Sequence, residues 1–187
     1  MKKERIDRIV DTLIHKCKER HLRELDKIHI ACIINSRSIL EYAINTKRTC
    51  MHGGITPTLH AEISVINQFM NKNRLGRIYF SYKKLAWKYI PSQKIIPKNF
   101  NKYSIIILRV QRKSNTLLLS FPCKSCGTLI HHLGFNKIYF SQSNGEIAYI
   151  RTRNCILPSL VLSIGYETYF NNKDKSKNRG KLIIVKL

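Results

Sequence analysis

Acidic side chains are the scarcest feature of this chain. Eleven Asp and Glu stand against thirty-four Lys and Arg, a formal net charge of +23. Between Ile63 and Gly145 there is no carboxylate at all, although that stretch carries fourteen Lys or Arg. It therefore cannot build an acidic, cation-gathering surface. Its field draws polyanions instead and raises their encounter rate. The many Ile, Lys and Asn fit AT-rich coding, which accounts for part of the lysine excess. Codon bias does not account for the missing carboxylates, because Asp and Glu codons are not GC-rich. A solvated basic surface with no specific partner is the plain alternative.

Other absences narrow the class. No run of about 18 uncharged apolar residues exists, which excludes a transmembrane helix and a membrane role. The charged start, Met1 to Val10, lacks the apolar stretch of a signal peptide, so an intracellular location, cytoplasmic or nuclear, is expected. Six cysteines in such a chain read as reduced thiols or metal ligands rather than disulfides. Repeats and low-complexity linkers are missing, and no domain boundary suggests itself. The 187 residues, 43% hydrophobic, are read as a single domain over 1–187.

What is present has the periodicity of an α/β protein. Residues 4–20 place Ile6, Ile9, Val10, Leu13, Ile14 and Cys17 at helical spacing. Lys27 to Asn35 and Ser38 to Ile44 read as a hairpin of two strands, and Thr46 to Thr58, with Gly53, Gly54 and Pro57, as a loop. Thr58 is the expected N-cap of a helix over Leu59 to Met70. Residues 71–103 form a basic, aromatic insertion with some local structure. Ser104 to Val110 is the strongest strand signal. Cys123 to Leu133 is predicted as a helix stopped near Gly134, and Lys137 to Phe140 as a strand. A fourth helix is expected over Ile156 to Ile164, a basic mobile segment over about 171–181, and a short strand over Leu182 to Val185.

Two short segments carry chemistry, each at a predicted helix start: His60-Ala61-Glu62 and Pro122-Cys123-Lys124-Ser125-Cys126. Hydrolysis of an exocyclic amine needs water as a nucleophile near neutral pH, which bound Zn2+ provides. A catalytic zinc takes three protein ligands, and His60, Cys123 and Cys126 supply three. Cys123 and Cys126 share one helix face, and a helix N-terminus favours the thiolate that ligates. Glu62, two residues after His60, is placed to move protons. Taken singly these features are weak. Cys-x-x-Cys also occurs as a redox motif, and His60 or Glu62 alone would pass for a surface residue. No second Cys pair or His-x3–5-His pair completes a four-ligand structural site. Their joint order matches the H-x-E…P-C-x-x-C signature of zinc deaminases.

On these motifs, "TPTLHAEISVINQF" and "SFPCKSCGTLIHHLGFNKIYFSQSNGEI", the chain resembles the cytidine/deoxycytidylate deaminase superfamily over roughly residues 27–150. The resemblance implies a three-layer fold with a mixed sheet of about five strands between helices. It implies a hydrolase in which His60, Cys123 and Cys126 bind zinc and Glu62 shuttles protons. Asn45, in "YAINTKR", resembles that family's substrate-contacting asparagine. The wide separation of His60 from Cys123 departs from many members, and the 71–103 insertion accounts for it. The expected substrate is a nucleobase, cytosine type preferred, in a nucleotide or single-stranded nucleic acid. Cations and aromatics interleave from Arg77 to Tyr89, a pattern that suits base stacking with phosphate neutralisation and equally suits aromatics packed on the core. Superfamily members often assemble, so a homo-oligomer stays open. The alternative reading is a nucleic-acid-binding protein with a structural zinc and no catalysis.

Overall fold

A computed structural model describes residues 3–19, 27–36, 38–45, 49–51, 54–56, 60–81, 86–91 and 100–152. The strands β1 (Lys27–Ile34), β2 (Ile39–Ile44), β7 (Ser104–Gln111), β9 (Lys137–Ser141) and β10 (Ile147–Arg151) form a sheet in the order β10-β9-β7-β1-β2. The short β8 (Leu117–Leu118) adds a sixth strand against β7. The sheet is mixed: β7 runs parallel to β9, and the other pairings are antiparallel. The helix α1 (Lys3–Glu19) covers one face, and α2 (Ala61–Lys72) and α3 (Lys124–Leu133) cover the other. Two smaller pairs, β3 (Thr49–Met51) with β4 (Gly54–Thr56) and β5 (Gly76–Ser81) with β6 (Ala86–Pro91), stand apart from the main sheet.

Alternation along the central strands divides the core in two. Ile106, Leu108 and Val110 of β7 join Ile28, Ile30 and Cys32 of β1 against Ile6, Val10 and Leu13 of α1. Ile105 and Ile107 join Ala31 and Ile33 against Ile63, Ile66, Cys126 and Leu129. Each fully buried isoleucine contributes about 1.5–3 kcal/mol of apolar transfer. A strand buried on both faces loses the polar/apolar period and becomes a continuous apolar run, which is why Ile105 to Leu108 stand out in the sequence.

Several expectations change in detail. The helix after the loop starts at Ala61 with His60 as N-cap, and Thr58 lies outside the described residues. It extends to Lys72 rather than Met70. The expected 46–58 loop contains the β3–β4 pair. β10 was not expected; it is an edge strand with no fully buried residue. Two stretches expected as helix and strand, 156–164 and 182–185, and the basic segment 171–181 lie outside the described residues.

The 71–103 insertion contributes the β5–β6 hairpin, which packs beside α2 and α3. Ile78 is buried in the α2–α3 core, and Tyr89 packs against it while donating its hydroxyl to Leu75 O at 2.7 Å. Gly76 opens the hairpin at φ +138°, where a Cβ would fall 2.3 Å from Ile90 O; only glycine fits there.

Two buried serines fix the approach to α3. Ser120 Oγ donates to Ile107 O and accepts from Ser141 N, both at 2.8 Å. Ser141 Oγ donates to Leu118 O at 2.6 Å and accepts from Arg109 N at 3.2 Å. β7, β8 and β9 are thus locked together three residues before Cys123. Ser120→Ala would leave a buried carbonyl and a buried N–H unpaired. It should cost about 1–3 kcal/mol, read as a lower midpoint in urea unfolding.

Candidate metal and active site

The site is built where two helices begin. His60 is the N-cap of α2 and Cys123 the N-cap of α3, and neither uses its side chain to cap its own helix. The first helical bonds come from the backbone instead, Ser64 N to His60 O at 3.0 Å and Gly127 N to Cys123 O at 2.8 Å. Both side chains are therefore released toward each other. Cys126 follows one turn into α3 and is fully buried. Gly134, in the left-handed conformation at φ 75°, ends α3 as expected.

These three residues converge. His60 Nδ1 lies 3.5 Å from Cys123 Sγ and 3.3 Å from Cys126 Sγ. The donor atoms of the three all lie within 4.8 Å of one another. With Zn–S near 2.3 Å and Zn–N near 2.0–2.1 Å, a tetrahedral site puts its nitrogen and sulfur about 3.6 Å apart. The donor set and its spacing fit zinc with one position left over. Among the described residues, Cys17, Cys32, Cys123 and Cys126 are free thiols.

Charge at the cluster follows from packing. A hydrogen bond with Cys126 and the neighbouring His60 hold the Cys123 thiol down to about 4, against the opposing effect of burial. Burial first, then the Cys123 thiolate and Glu62, push the Cys126 thiol well above its ordinary value. In the metal-free site the pair therefore ionises first at Cys123. Burial disfavours the His60 cation, but the Cys123 hydrogen bond and the charges of Glu62 and Cys123 outweigh it and raise its pKa. Two helix N-termini meeting here add positive potential that suits thiolates.

Glu62, in the first turn of α2, is 4% exposed. Its carboxyl shares a hydrogen bond with Cys126, and burial raises its pKa. Asn45 closes the polar side. Its N–H donates to His29 O at 3.0 Å, and its Oδ1 accepts from His29 N at 2.9 Å. That fixes the side chain and leaves Nδ2 as the end that can face a ligand.

Residues that the motifs did not reveal also line this side of the sheet. His29 on β1 is the register partner of Arg109 on β7. Burial, then the charges of Arg109 and His60, lower its pKa to about 4, so it is neutral at pH 7. The available signal was a polar residue at an inward strand position, with Ala31 and Ile107 as its inward neighbours. Phe121, 38% exposed, lies two residues before Cys123 with its ring edge-on to Phe140. A separate cleft of about 1010 Å³ lies on the α1 side of the sheet, lined by Asp7, Asp11, Lys137 and Tyr149 among others, away from this cluster.

The comparisons agree with this picture of the chemistry. A dCMP deaminase from the cyanophage S-TIM5, solved with dCMP and dUMP, is 17% identical, with 76% of this chain and 85% of that chain covered and a TM-score of 0.43. Its apo form is 16% identical, with 76% and 86% covered and a TM-score of 0.40. No curated protein sequence matches the chain. Among the described residues, no helix is long and apolar enough to cross a membrane. Residues 4–142, most of the chain and both motifs, match the family model "Cytidine and deoxycytidylate deaminase zinc-binding region". With a His/Cys/Cys cluster that fits Zn2+ at the place those motifs meet, the chain belongs to the zinc-binding cytidine and deoxycytidylate deaminase family.

Proposed function

We propose that residues 1–187 act as one hydrolytic deaminase of a cytosine-type base, carried by a nucleotide or a single-stranded nucleic acid. His60, Cys123 and Cys126 hold Zn2+, Glu62 moves the protons, and Asn45 contacts the substrate. The observation that carries this reading is the meeting of three metal donors within 4.8 Å with a buried carboxyl against one of them. Zinc, when bound, supplies Lewis-acid activation of water near neutral pH.

The protein's own groups do the rest. Glu62 takes a proton from the attacking water and delivers it to ring N3 as oxygen adds to C4. It then passes the second proton to the departing amine, so the C4–N bond breaks, a C4 carbonyl forms and ammonia leaves. Burial of Glu62 suits this work, since a raised pKa brings a carboxyl closer to the pH at which it must both accept and donate. A purely structural zinc has no need of that carboxylate.

The basic stretch from Ile63 to Gly145 and the exposed Phe121 ring beside Cys123 support a polynucleotide substrate. Tyr89 of the insertion is committed to the core and adds nothing to that case. The test is ammonia release from cytidine, deoxycytidylate and single-stranded oligonucleotides by the zinc-loaded protein. Product from at least one of them is expected. No product from any, with tight oligonucleotide binding, would leave a nucleic-acid-binding protein with structural zinc. If the basic stretch grips phosphates, log K for oligonucleotides should fall by about 0.7 per contacted phosphate for each tenfold rise in salt. A flat response would assign the charge to solubility.

A further inference from the structure

The sheet face under α2 and α3 changes character within one step along the strands. Ala43, Ala31 and Ile107 lie side by side on β2, β1 and β7 and are buried in the apolar core. One step further on that face stand Asn45, His29 and Arg109. His29 and Arg109 are register partners, and Asn45 is tied to His29 by the two hydrogen bonds described above. Because Ile105 and Ile107 face the α2–α3 core while Ile106, Leu108 and Val110 face α1, alternation puts Arg109 on the same side as the zinc cluster.

Arg109 is the odd member of this row. Its backbone N–H is held by Ser141, yet its Nε is buried with no hydrogen-bond partner. Buried donors are ordinarily satisfied, and one left open asks for a ligand. No carboxylate occurs from Ile63 to Gly145 to claim the charge, and Glu41 on β2 is bridged to Lys72 at 3.5 Å. Arg109 stands two strand spacings from Asn45, roughly 10 Å, which leaves room between them for a base and sugar. A guanidinium presents a planar fork that matches phosphate oxygens.

We infer that Arg109 binds the phosphate of the substrate nucleotide, so that the site selects phosphorylated pyrimidine nucleotides over the free nucleoside. The inference rests on the deaminase reading for the identity of the base, but its test does not need turnover. The probes are deoxycytidine, deoxycytidylate and a short single-stranded oligodeoxynucleotide, titrated calorimetrically at fixed salt into the zinc-loaded Glu62→Gln protein, which leaves ligands intact.

Deoxycytidylate should bind at least about tenfold tighter than deoxycytidine, since a charge-assisted fork supplies that margin. Adding Arg109→Gln should bring the ratio of the two dissociation constants close to one. Arg109→Lys, which keeps the charge without the fork, should give an intermediate ratio. A larger Arg109→Gln loss for the oligonucleotide than for the monophosphate would assign the phosphate to a polymer, and the reverse to a free nucleotide. A ratio near one before Arg109 is changed, or a ratio untouched by Arg109→Gln, overturns the inference. An intact, Arg109-dependent ratio in a protein that releases no ammonia would sink the deaminase reading and leave this one standing.

Discussion

Glu62→Gln should lower turnover by about 10²–10⁴-fold while zinc content stays at the level of the unaltered protein. The amide keeps the volume and the place in the first turn of α2 but cannot accept the proton from water. Stability should not fall. Burial penalises the ionised Glu62 carboxyl, and a neutral amide against Cys126 avoids that penalty. Kinetics of ammonia release, zinc analysis and a thermal melt on the same preparation read all three quantities. Turnover within tenfold of the starting protein would remove Glu62 from the mechanism. Loss of zinc would instead make it a support for the ligands.

Replacing a sulfur ligand should act through the metal. Cys123→Ser and Cys126→Ser each reduce the three donors to two good ones, and zinc affinity should fall by more than about 100-fold, beyond the loss seen when an outer-shell partner is removed. Activity should fall with it. The two differ in stability, because Cys126 is fully buried in the α2–α3 core and Cys123 is only partly buried; the Cys126 variant should melt lower. Zinc entry must also displace the proton that burial holds on Cys126 and the one held on His60. Uptake should therefore release protons and weaken as pH falls. Competition with a chromophoric chelator at several pH values measures this, and a pH-independent affinity would speak against these ligands.

Much of this was legible in the chain because burial leaves long signals. The runs at Lys27 to Ile34 and Ser104 to Gln111 are continuous and apolar since both faces of those strands are covered. The amphipathic stripe of α1 shows the face it lays on the sheet. His60, Glu62, Cys123 and Cys126 were readable because two helix starts bring them to one point, so their sequence spacing already encodes a geometry.

What escaped was short or exposed. β10 has no fully buried residue, so Ile147 to Arg151 lack the apolar weight of a core strand. β3 and β4 are three residues each and merged with the glycines around them. Thr58 looked the better cap by residue type. The helix nonetheless takes His60 at that position, where the ring is turned to the two sulfurs rather than to its own backbone. Arg109 and His29 were hidden as lone polar residues in apolar strands; only register shows that they face each other and the site.

The zinc environment itself is the most direct test. X-ray absorption on the purified, metal-loaded protein should show one zinc with two sulfurs near 2.3 Å, one imidazole nitrogen near 2.0–2.1 Å and one further light ligand. A sulfur-free shell, or a protein that takes up no zinc because Cys123 and Cys126 are joined as a disulfide, would contradict the account.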